Sequence, residues 1–206
     1  MSCKAFRQVI RARTQSRGVR LTQRAPATLP SMTQVLLVCM ANVCRSPMAK
    51  VTCEAIAGTL LPRPTGLRAL LKRKALCFDS AGAKAGLGRA QADARAQKAL
   101  KGRGYGPAKQ RARRVTTSDF IHCDLILAMD SAVLSDLQQQ CPAVHQHKLH
   151  LFLDFTPELR GQDVPDPYFG DAAGFAHALS LCETGAQHLV RALIQGEVPG
   201  VRLKTN

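Results

Sequence analysis

Cys39 and Arg45 stand at the two ends of the run Cys39-Met-Ala-Asn-Val-Cys-Arg45-Ser46-Pro47. At this spacing they can hold a phosphate-like dianion against a nucleophilic sulfur. The backbone N–H groups of Met40, Ala41, Asn42, Val43, Cys44 and Arg45 can ring the anion if the loop ends at a helix N-terminus, whose dipole adds positive potential. The planar guanidinium of Arg45 matches two phosphate oxygens bidentately. A helix end and a neighbouring cation both favour thiolate over thiol. Ser46 Oγ can donate to the sulfur, keeping it ionised and helping it leave in a second step. Asn42 tolerates a left-handed backbone, and its side chain can tie the loop to its surroundings. Cleaving a phosphate ester also takes an acid for the leaving oxygen. The loop itself has none.

Such a loop works only if its neighbours hold it. Val35-Leu-Leu-Val38 is aliphatic and β-branched, as a fully buried parallel strand is. Pro47 suits a first helical turn, and Met48 to Ala57 continue with an apolar stripe. Downstream, strands are predicted at Ala75–Asp79, Cys123–Met129 and Lys148–Phe152, with a short extended piece at Arg113–Thr116. Helices are predicted at Ala92–Lys101, ended by Gly102, at Ser131–Gln140, and from Ala172 to about Ile194. Leu60 to Gly66 reads as a connector, and Ser80-Ala-Gly82 as a turn. This alternation implies βαβ units: one α/β domain with a central four-stranded parallel sheet and helices on both faces. The site then lies at the carboxyl ends of the strands.

The chain has 206 residues and a net charge of +15, enough length for one substantial core. Seven of the positive charges (Lys4, Arg7, Arg11, Arg13, Arg17, Arg20 and Arg24) fall in residues 1–31, which contain no acid. That segment reads as a disordered basic extension, either a presequence or residues upstream of a start at Met32; the second needs less, since the domain requires nothing before about Thr33. The domain organisation is therefore an extension over 1–32, a domain over 33–195 and a tail over 196–206. No apolar run is long enough to span a membrane. With no Trp and two Tyr the body lacks the interleaved aromatics of a nucleic-acid surface, which argues against that partner. Eight irregularly spaced cysteines, several in apolar segments (Cys53, Cys77, Cys123, Cys182), fit a reducing, cytoplasmic setting better than a disulfide scaffold. The six histidines form no metal-ligand pattern, and no cofactor is called for.

The block Val35-Leu-Leu-Val-Cys39-Met-Ala-Asn42-Val-Cys44-Arg45-Ser46-Pro47-Met-Ala49 resembles the low-molecular-weight protein tyrosine phosphatase family. Further matching blocks follow in the family's order: Asp79-Ser-Ala-Gly82, Ala92-Asp-Ala-Arg-Ala96, Asp124-Leu-Ile-Leu-Ala-Met-Asp130 and Val164-Pro-Asp166-Pro-Tyr168. The resemblance runs from about Thr33 to Ile194. It implies a Rossmann-like three-layer fold and hydrolysis of phosphotyrosine in proteins through a phosphocysteine. It also supplies the missing acid: Asp166, in its Asp-Pro-Tyr segment, would protonate the leaving phenolate and then deprotonate the attacking water. Ser80 would brace the loop through Asn42. Cys44 would either trap an oxidised Cys39 as a disulfide or simply fill space. Asp130 would orient the site or cap the following helix. Asp163, lacking the Pro-Tyr context, reads as a bystander.

Three departures matter. The crevice wall after Ser-Ala-Gly carries Leu87 and no large aromatic. The opposite wall has Tyr168 followed by Phe169 rather than a second tyrosine. Gln110 stands where the family often has a histidine, so the bracing network is expected to be altered. One aromatic and one aliphatic wall imply weaker small-aryl binding or a broader preference. The alternatives are a thiol-dependent arsenate reductase of the same fold, for which Cys141 is the only cysteine in the relevant helix region, and a non-catalytic phosphoprotein or anion binder.

Overall fold

Strand β1 (Thr33–Cys39) sends alternate side chains from Val35 to Cys39 into two separate cores, which is why that stretch is apolar without a break. The computed structural model describes residues 33–61, 76–86, 88–198 and 201. Residues 1–32, most of the predicted connector and Leu87 lie outside them. The remaining strands are β2 (Leu76–Gly82), β3 (Leu125–Ala128) and β4 (Leu149–Leu151). All pair in parallel in the order β2-β1-β3-β4.

The helices are α1 (Arg45–Leu60), α2 (Ala94–Gly102), α3 (Thr117–His122), α4 (Ser131–Gln140) and α5 (Ala172–Gln195). Val35, Leu37 and Cys39 pack with Met48 and Cys53 of α1, Ala96 and Leu100 of α2, and Phe175, Leu189 and Val190 of α5. Leu36 and Val38 face Phe120 of α3 and Val133 and Leu137 of α4 on the other side. The result is the expected three-layer arrangement of one parallel sheet between helices. Val198 and Val201, beyond α5, are also buried in the first of these cores.

Three boundaries differ from expectation for local reasons. Ser80-Ala-Gly82 continues β2, because Gly82 is level with Cys39 in the strand register and is also bridged by Arg114. Helix α2 begins after Asp93, whose side chain accepts from Arg95 N at 2.8 Å. The left-handed residue after α2 is Gly104, not Gly102, which stays helical. The short α3 was read only as a capped turn; Asp119 accepts from Thr116 N at 2.8 Å and starts it. The free thiols of Cys39, Cys44, Cys53, Cys123, Cys141 and Cys182 are buried. Cys77, half-buried in β2, is disulfide-bonded and departs from the reduced expectation. Among the described residues no helix is long and apolar enough to cross a membrane.

This fold brings the carboxyl ends of β1, β2 and β3 together, with β1 at the point where the chain switches from one neighbour to the other. Gly82 is the tight point. A Cβ there would meet Met40 O at 2.8 Å and Ala41 C at 2.9 Å, so the loop after β1 rests directly on its backbone. Gly82→Ala is therefore expected to destabilise the protein by about 1–3 kcal/mol and to lower turnover by displacing the loop. Denaturant midpoints and steady-state kinetics on one preparation check both.

Candidate active site

The segment between β1 and α1 is pinned through its carbonyls. Ala83 N donates to Cys39 O and Lys84 N to Met40 O, both at 2.9 Å, and Asp93 N to Val43 O at 2.8 Å. Asn42 sits at φ 58°, the left-handed conformation its residue type allows. Its N–H donates to Cys39 Sγ at 3.3 Å. The sulfur thus ends a buried strand, lies beside the first turn of α1 and accepts a main-chain hydrogen bond.

Ser46 Oγ lies 3.1 Å from Cys39 Sγ, 3.0 Å from Asn42 Oδ1 and 3.2 Å from Ala81 O. One hydroxyl proton can serve only one of these acceptors at a time. Ser80 Oγ donates to Asn42 Oδ1 at 2.7 Å, Asn42 Nδ2 donates to Ser80 O at 3.2 Å, and Gln110 Nε2 donates to Ser80 Oγ. With Asn42 Oδ1 already supplied by Ser80, the Ser46 proton is free for the sulfur. The network expected to be altered at Gln110 is closed by its amide.

Arg45, only 2% exposed, is the other pole. Its Nη1 donates to Asp130 Oδ2 and, at 3.0 Å, to Val164 O; Nη2 reaches Asp166 Oδ2 at 2.6 Å. Burial disfavours the guanidinium charge, but the Asp130 hydrogen bond and the charges of Cys39, Asp166 and Asp130 outweigh it and hold its pKa above the ordinary value. Asp130 fills both roles foreseen for it, since its Oδ1 also accepts from Val133 N at 2.6 Å and caps α4. Asp163 is no bystander: it accepts from Ser131 N at 2.8 Å and from Ser131 Oγ at 2.9 Å. Together with Val164 N donating to Met129 O at 2.8 Å, this fastens the Asp166 loop to the end of β3. Asp166 Oδ1 accepts from Tyr168 N at 3.1 Å.

These groups surround a pocket of about 450 Å³. Cys39, Met40, Ala41, Val43, Cys44 and Arg45 form its floor; Asp166, Tyr168 and Phe169 form one side; Gly86, Gly88, Arg89, Ala90 and Ala112 form the other. Leu87, the proposed aliphatic wall, lies outside the described residues. Arg95, which the sequence left without a role, braces the aromatic side. It pairs with Asp93 at 2.9 Å, lies 5.6 Å from the Tyr168 ring and 4.7 Å from the Phe175 ring, and donates to Gly170 O at 3.2 Å. Nothing local in the sequence marked Arg95 or Asp163, because each acts on a residue far away in the chain.

Burial, followed by the charges of Asp93, Cys39 and Asp166, pushes the Cys44 thiol up to about 12 against the opposing effect of Arg95. Cys44 is therefore a protonated thiol at neutral pH. Iodoacetate at pH 7 is expected to inactivate by alkylating Cys39, leaving Cys44 unmodified in the same peptide. Fragment-ion sequencing of that peptide distinguishes the two positions.

Residues 34–198 match the sequence profile described as low molecular weight phosphotyrosine protein phosphatase. A low molecular weight phosphotyrosine protein phosphatase of Schizosaccharomyces pombe is 36% identical over 142 residues, covering 69% of this chain and 85% of the relative. The crystal structure of a low molecular weight phosphotyrosine phosphatase from Vibrio cholerae superposes with a TM-score of 0.68 at 34% identity, covering 81% of this chain and 99% of that one. An arginine phosphatase from Geobacillus stearothermophilus has the same fold, with a TM-score of 0.65 at 25% identity over 80% of this chain and 95% of that one.

Proposed function

The chain belongs to the low molecular weight phosphotyrosine protein phosphatase family, a hydrolase family acting on phosphoproteins, and within that activity we propose how its residues divide the work. Cys39 thiolate attacks phosphorus in line. The S–P bond forms as the bond to the tyrosyl oxygen breaks, and Asp166 gives its proton to that oxygen. Water then attacks the phosphocysteine, Asp166 takes its proton, and the S–P bond breaks to release inorganic phosphate. Arg45 and the N–H groups from Met40 to Arg45 hold the equatorial oxygens, and the Ser46 proton stabilises the departing sulfur. When a phosphoryl group takes over the donors of Arg45, Asp166 is released from Nη2 to face the leaving oxygen.

The observation that carries this reading is the convergence on one pocket floor of Cys39 Sγ, with two hydrogen-bond donors, and of Arg45, whose Nη2 contacts Asp166. Cys39 is only 3% exposed at that floor, so a long aryl phosphate reaches it more readily than a short seryl or threonyl one. Tyr168 gives the substrate ring a face to stack on. A phosphoarginine would instead need a carboxylate at the mouth besides the general acid; Asp166 is the only acid among the described lining residues, and this mechanism uses it at the leaving oxygen.

Cys141, the cysteine that a reductase mechanism would use, is buried beyond the end of α4 and does not line the pocket. The reaction needs Cys39 as a free thiol, as it and five other cysteines are among the described residues, and this weighs for a reducing, cytoplasmic setting against the one disulfide at Cys77. Phosphate release from matched peptides carrying phosphotyrosine, phosphoserine or phosphoarginine tests the assignment. Release from the tyrosine peptide by at least a hundredfold over the others is expected, and equal rates would overturn it.

A further inference from the structure

The mouth of the pocket is electrically lopsided. On the aromatic side, Arg95 is neutralised by Asp93. Of the other cations on this side of the fold, Lys84 is matched by Asp136 and Arg113 by Asp79 and Asp119. On the opposite rim, Arg89 lines the pocket, is exposed and makes no ion pair among the described residues. Arg111 lies beside it. Ala112 N donates to Ala90 O at 2.7 Å, and Arg111 Nη1 reaches Arg89 O at 3.4 Å, so a second guanidinium without an ion pair among the described residues lies against the backbone of the first arginine. Arg89 also has a φ of 48°, a left-handed backbone that few residues with side chains adopt. An outlier of this kind beside a site points to positioning.

We propose that Arg89, seconded by Arg111, reads an acidic side chain flanking the phosphotyrosine, so that the preferred substrates are acidic phosphotyrosine segments. The proposal rests on the phosphatase reading above. With the phosphate on the floor and the ring against Tyr168, the flanking residues must pass over the rim. A carboxylate there meets two cations that no protein acid has satisfied. Contacts at an exposed rim are weak singly and screened by salt. The effect belongs in KM rather than in the chemical step.

The test uses phosphotyrosine peptides identical except for Glu or Gln at one flanking position, scanned through the three residues on either side. At low ionic strength kcat/KM for Glu is expected to exceed that for Gln by about fivefold at one or more positions. The ratio should fall towards one at about 0.5 M salt, be lost in Arg89→Gln and invert in Arg89→Glu, with Arg111→Glu reducing it in part. Equal rates for Glu and Gln in the unmodified protein would overturn the proposal, as would a preference that survives in both Arg89→Glu and Arg111→Glu. Failure to hydrolyse any of the peptides would instead count against the phosphatase reading itself.

Discussion

Asp166→Asn is expected to lower kcat for a phosphotyrosine peptide by about 10²–10⁴-fold, the usual worth of a positioned general acid, with KM changed only a few-fold. The substitution is nearly isosteric. Asn Oδ1 can still accept from Tyr168 N, the contact now made at 3.1 Å, so the loop should keep its shape. What is lost is the proton for the leaving oxygen. The loss should therefore depend on the leaving group, being largest for a phenolate of tyrosine basicity and small for a strongly acidic nitrophenol that departs without help. An alternative cause deserves separation, because Asp166 also pairs with Arg45 Nη2 at 2.6 Å. If disturbing Arg45 were the whole effect, every leaving group would suffer equally. Steady-state kinetics across a series of aryl phosphates decides between the two.

Cys39→Ser should remove turnover by on the order of 10⁴-fold or more, as loss of a nucleophile does in other enzymes. A hydroxyl ionises far less readily than a thiol, and the helix end cannot make up that difference. Binding should survive, because the ring of N–H groups and Arg45 are untouched. Calorimetry with a phosphotyrosine peptide is expected to give a dissociation constant within about tenfold of the KM of the unmodified protein. Loss of binding together with turnover would mean that the substitution had collapsed the loop. A variant that kept a tenth of the activity would mean that the sulfur is not the attacking atom.

The loop between β1 and α1 was legible because its signals are local. A strand, a Cys-to-Arg interval and a proline in a first turn all fall within fifteen consecutive residues, and the structure arranges them as that pattern implies. The layers were legible because buried parallel strands are apolar throughout and helices are periodic. The parts not read correctly are long-range. Asp163 looks like a solvated loop acid until the fold brings it to Ser131. Gln110 looks like a broken brace until Ser80 is placed beside it, because an amide can donate where an imidazole would. Arg95 looks like a solvated arginine until the fold brings the rings of Tyr168 and Phe175 to it. The end of α2 was placed to within one residue, since Gly102 is its last helical residue and the left-handed turn follows at Gly104.

The most direct trial is rapid acid quenching during the first turnover of an aryl phosphate, followed by peptide mapping. A burst of phenol about equal to the enzyme, with one phosphoryl group found on Cys39 and none on Cys44, is the outcome this mechanism requires. A turnover that releases phenol and phosphate together, with no phosphorylated cysteine trapped at any quench time and no burst, would contradict it.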